Sequence, residues 1–110
     1  MLHETLSKIE TKLRDAQSIK DEQRSELLSL VSTLKNEIAG LSRTHDEQAQ
    51  SIAGFAEVSA HEATRTEKNP ELLKVSLQGL ASSVDGFEKS HPELVGIVNR
   101  ICTTLSNMGI

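Results

Sequence analysis

Residues 27–55, LLSLVSTLKNEIAGLSRTHDEQAQSIAGF, carry Leu27, Val31, Leu34, Ile38, Leu41, His45, Gln48, Ile52 and Phe55 at alternating spacings of four and three. That rhythm keeps side chains on one face of an α-helix. Only His45 and Gln48 interrupt its apolar character, and the bland reading of His45 is a polar residue that sets register on a packed seam. The seam predicts one long helix over about 21–65, on the order of 65 Å at 1.5 Å per residue, with Gly40 and Gly54 as its weak points. A break near Gly40 would instead give a compact bundle.

Upstream, Leu2, Leu6, Ile9 and Leu13 repeat the same spacing and predict a helix over about 2–17, with Ser18 or Asp21 as a cap for the next. Downstream, two prolines punctuate the chain. In EKNPELL, Asn69 can cap and Pro70 suits the first helical position, where its missing N–H would be unpaired anyway. In KSHPELV, Ser90 and Glu93 have capping-box spacing around Pro92. Helices follow over about 70–89 and 91–108, the first carrying Leu73, Leu77, Leu80, Val84 and Phe87, the second Leu94, Val98, Ile101, Leu105 and Met108. Gly109 and Ile110 fit the end of a Schellman motif, with Ile110 against Leu105.

The expected fold is therefore all-α: a single domain over 1–110 built as a long antiparallel, coiled-coil-like hairpin of four helices. Ala49, Ala53, Ala56, Ala60 and Ala63 form a row of small residues beside the Ile52 and Phe55 seam. Ser76, Gly79, Ser83, Gly86 and Ser90 form a second. Folding back at the Asn-Pro turn sets Ala56 beside Gly79 and Phe55 beside Leu80, and continues to Leu41 with Leu94 and Leu27 with Met108. The first helix would cover only the Leu27 to Leu41 end. The other end would be a bare hairpin, and its exposed apolar surface predicts a homodimer through Ala49, Ile52, Ala53, Phe55, Ala56, Ala60, Val84 and Phe87.

Composition narrows the function classes. The 110 residues include no Trp, no Tyr and two Phe, with a net charge of −4. Nucleic-acid binding needs cations against phosphates and aromatic stacking platforms, so no nucleic-acid partner is expected. No run approaches the ~20 apolar residues of a bilayer span, and the N-terminus lacks a leader pattern, so the expected location is cytoplasmic with no membrane contact. Cys102 is the single cysteine; beside the Ile101 seam it reads as a structural thiol. His61 in HEATR lacks the second histidine of a zincin helix. Glu88 and His91 have Glu-x-x-His spacing without the remaining ligands of a di-iron bundle. No catalytic, cofactor or metal site is expected, and the chain is read as a non-enzyme.

The stretch Phe87-Glu88-x-Ser90-His91-Pro92, followed by an apolar helix and Asn107-Met108-Gly109-Ile110, resembles bacterial domain-of-unknown-function family 4404. The resemblance is most specific over the last quarter. It implies a small bacterial, helical, intracellular protein and supplies no catalytic residues. The functional expectation is an oligomerising or protein-interaction module of adaptor or structural kind. The alternative is a regulatory bundle binding a small ligand or metal through His45, His61 or Glu57.

Overall fold

A computed structural model describes residues 2–17 and 19–108, and five helices account for most of them: α1 (Leu2–Asp15), α2 (Asp21–Leu41), α3 (Asp46–Thr64), α4 (Pro70–Ser83) and α5 (Pro92–Met108). Among the described residues there is no strand, as expected. The cap anticipated at Ser18 and the Schellman end at Gly109 and Ile110 lie outside the described residues.

The continuous helix over 21–65 is not present. Residues 42–45 break it, and the chain turns back on itself as the compact alternative requires. The Leu41 carbonyl accepts both the Thr44 and His45 amides, at 3.1 and 2.8 Å, while the Ser42 amide reaches Ile38 O at 2.9 Å. These bonds occupy orphan carbonyls at the α2 end. Asp46 and Glu47 then open α3, where the helix dipole favours negative charge. The bundle accordingly measures 37 × 24 × 22 Å, far shorter than a 65 Å rod.

The fold-back changes which helices meet. All five run up and down in alternation, and they form two layers. α3 lies between α1 and α4 in one layer, and α2 and α5 pack side by side beneath it. The α1 helix therefore covers more than one end of α2. Lys35 of α2 pairs with Glu10 at 2.8 Å, and Lys12 Nζ lies 3.2 Å from His61 Nδ1 on α3. No bare hairpin remains, because α3 returns alongside α1.

Each remaining corner has its own fastening. Arg24 donates to Leu13 O at 3.1 Å and also to Ala16 O, tying the α1 carbonyl end to the start of α2, and it pairs with Asp21 at 2.9 Å. Asn69 caps α4 as expected, its Oδ1 accepting from Leu72 N at 3.1 Å. The helix expected over 70–89 stops at Ser83. Gly86, read above as one of a row of small helical residues, adopts φ +94° in the turn that follows. The Glu88 carboxylate accepts from its amide at 3.0 Å. An L side chain is strained at that φ, so this position needs glycine.

The core is aliphatic. Leu34, Leu80, Leu94, Val98 and Ile52 are completely buried; the long seam of the sequence faces inward before the corner, from Leu27 to Leu41, whereas beyond it only Ile52 is buried, Gln48 and Phe55 lying exposed. The accessible surface is 6465 Å², close to the roughly 6000 Å² expected of a folded monomer of 12.0 kDa.

Two substitution pairs test this account by thermal unfolding. Gly86→Ala is expected to destabilise by about 1–2 kcal/mol through its positive φ. Gly40→Ala, where an added Cβ meets nothing within 4 Å, should stabilise by about 0.5–1 kcal/mol because alanine is the better helix former. Ser59 is fully buried with no hydrogen-bond partner for its hydroxyl. Ser59→Ala should leave stability unchanged or raise it by up to about 1 kcal/mol, whereas Ser59→Val should lower it by overpacking.

Candidate functional site

The middle helix of the three-helix layer has neighbours on three sides and water on the fourth. On its covered sides it carries small residues, which let the other helices approach. On its open side it carries Phe55 and Val58, which are 41% and 46% exposed. The adjoining face of α4 adds Leu72 and Val75, 45% and 61% exposed. These are the large apolar residues left exposed among those described, and they share one face. Single exposed apolar residues are ordinary on protein surfaces, and a group of them on one face is a candidate site.

Phe55 is held there by a glycine. Its ring lies across α4 at Gly79, so close that a Cβ on Gly79 would stand 2.3 Å from the ring. The expected meeting of Ala56 with Gly79 is thus correct to within one position, and Phe55 spans the groove between the helices. Of the eight residues anticipated at a dimer interface, Phe55 alone is exposed. Ala49, Ile52, Ala53, Ala56, Ala60, Val84 and Phe87 are buried against the chain's own helices. A second copy could reach them only by opening the bundle. Val58, Leu72 and Val75 were missed. Their positions follow from the alternating spacing once α3 is known to be surrounded on three sides, which the seam alone does not reveal.

Beside the apolar centre, an open groove runs between α1 and α3, with Glu4, Lys8 and Lys12 on one wall and Glu57 and His61 on the other. Lys12 donates to His61 Nδ1, which requires that ring nitrogen to be unprotonated. At the top of the groove, Arg65 pairs with the buried Glu62 at 2.8 Å. Desolvating a lone carboxylate is costly, and this cation offsets it.

The ligand-binding alternative named His45, His61 and Glu57. His61 and Glu57 line the same groove, but His45 lies at the opposite end of the bundle. There it packs edge-on against Phe87, with centroids 5.5 Å apart, and against His91 at 6.2 Å. Its Nδ1 meets Thr44 Oγ1 at 2.7 Å. Glu88, which shares Glu-x-x-His spacing with His91, is engaged at Gly86 instead. Among the described residues no group of three or more His, Cys, Asp or Glu converges as a metal site. Cys102 is half-buried with Sγ 3.9 Å from Leu77 O, and burial raises its thiol pKa above the ordinary value. A raised pKa leaves little thiolate at neutral pH. No helix among the described residues is long and apolar enough to cross a membrane.

No curated protein matches the chain, and no solved structure does. A family model, the domain of unknown function DUF4404, matches residues 29–110. That stretch runs from within α2 through the corner, the whole of α3, α4 and α5, and it includes every exposed apolar residue of the face. The chain belongs to the DUF4404 family.

Proposed function

We propose that the chain is a non-catalytic protein-interaction module that docks another polypeptide on the outer face of the α1/α3/α4 layer. The observation that supports this reading is the grouping of Phe55, Val58, Leu72 and Val75 in water at the centre of that face. A chain whose core is complete without them has no folding reason to hold four large apolar side chains together outside. Burial of apolar surface is worth about 25 cal/mol per Å², and aromatic anchors near the middle of a face supply much of an interface's energy. Of the polar groups beside it, Lys12 is engaged with His61 across the groove and Arg65 with Glu62 at the end of α3.

The test is site-specific photo-crosslinking in the cells that make the protein. A benzophenone amino acid at Val75 should give covalent adducts with a polypeptide. The same residue at Asn99, exposed on α5 in the other layer, should give few. Equal yields from both positions would overturn the reading. The thiol offers a separate check on the absence of nucleophilic chemistry: Cys102 should react with iodoacetamide at pH 7.5 about tenfold or more slowly than free cysteine, because its pKa is raised by burial.

A further inference from the structure

We infer that the polypeptide docked on this face is a second copy of the chain, related by a two-fold axis lying in the face and crossing α3 and α4 at Val58 and Val75. The inference rests on the interaction reading above and names its partner. It follows from where the exposed residues stand along the helices. The Phe55 ring is level with Gly79, and α3 and α4 run antiparallel, so Val75, one turn before Gly79 in sequence, stands beside Val58. At 1.5 Å per residue, the Phe55 backbone lies about 4.5 Å to one side of that level. Leu72 lies about the same distance to the other side.

A two-fold axis across the helices at this level exchanges the two sides. It brings Val58 and Val75 against their own counterparts. The Phe55 ring, already lying over α4, comes opposite Leu72 of the second copy, and Leu72 comes opposite the second Phe55. Such exchange is the defining property of an isologous interface, in which one patch complements itself.

The outer two of the three charges on this wall of α1 obey the same operation, while Lys8 between them stands close to the axis and meets its own counterpart. Lys12 is level with His61, which fixes its height, and lies about one turn beyond the Val58 level. Glu4, two turns before Lys12 on the same wall of the groove, lies on the other side of that level by a similar distance. The rotation places α1 against α1 of the second copy, so Glu4 faces the second Lys12 and Lys12 the second Glu4. An unrelated partner would have to supply both the apolar centre and this alternation of sign. A second copy supplies the apolar centre and the two Glu4–Lys12 pairings, against one facing pair of Lys8 side chains at the water-exposed groove. The size is also adequate: a stable interface takes about 800 Å² from each partner, and the long faces of the bundle measure at least 37 × 22 Å.

Light scattering coupled to size exclusion tests this on the purified chain. Refractive index should serve as the concentration signal, since there is no Trp or Tyr. A species of twice 12.0 kDa is expected at tens of micromolar. Val75→Asp should yield a monomer whose helical circular dichroism is unchanged, because its side chain is largely in water. Glu4→Lys should weaken the dimer at least about tenfold, and adding Lys12→Glu should restore it. In a Cys102→Ser background, Val58→Cys should oxidise to a covalent dimer by itself. Phe55→Cys and Leu72→Cys should form a mixed dimer when combined. A 12.0 kDa monomer up to about 100 µM, or a dimer indifferent to Val75→Asp, would overturn the inference. If such a monomer still crosslinks from Val75 in cells to a different polypeptide, the interaction reading stands and the two-fold pairing falls.

Discussion

Alanines 49, 53, 56, 60 and 63 of α3 are each at most 4% exposed, and their small side chains set how closely the surrounding helices can approach. A helix flanked on two sides and floored on a third has little room for leucine. Close approach of backbones makes up in dispersion contacts what the small side chains lack in area. Ile52 is the exception that fills the space between layers, completely buried at the centre. The rest of the architecture accommodates this one helix. The aliphatic faces of α2 and α5 form the floor, and α1 and α4 form the flanks.

The corner at 42–45 makes that arrangement reachable. With α2 and α3 continuous, the alanine row could meet only α4, and the leucines of α1 would have α2 alone to cover. Once the chain turns after Leu41, Leu6, Ile9 and Leu13 of α1 are buried between α2 and α3, each no more than 2% exposed. The same turn brings His45 to Phe87 and His91, so the two loops at this end of the bundle close against each other through edge-on rings. Contacts of this kind are worth about 0.5–1.5 kcal/mol beyond burial.

Much of this fold is legible in the residues. Asn69-Pro70 and Pro92 mark helix starts because proline and asparagine have few other uses there, and both helices begin where they indicate. Most of the leucines read as inward on α1, α2, α4 and α5 are buried, whereas α3 has no leucine and its seam residue Phe55 is exposed. The corner escaped because the four-three spacing passes through it undisturbed: Leu41, His45 and Gln48 hold the rhythm although the chain reverses between them. A signal was present in Thr44 and Glu47, which have capping-box spacing. Even so, the Thr44 hydroxyl is bonded to the His45 ring and the cap itself lacks a side-chain bond. Of the four exposed apolar residues of the outer face only Phe55 was singled out from the sequence. A periodic seam shows which residues share a side of a helix, not how many sides are covered. That number depends on the corner.

The connections between helices span only residues 16–20, 42–45, 65–69 and 84–91, and most helices that touch are neighbours or next neighbours along the chain. The pairing of α2 with α5 is different, since Leu41 and Pro92 are separated by two whole helices. This seam alone closes the lower layer, joined at its rim by Thr104 and Glu26 at 3.3 Å. Loop-closure entropy rises only slowly with the length enclosed, so one distant pairing adds little to the thermodynamic cost of the fold. Its burden is kinetic: local helix pairs can form on their own, while the floor of the bundle has to wait for α5 to come back to α2.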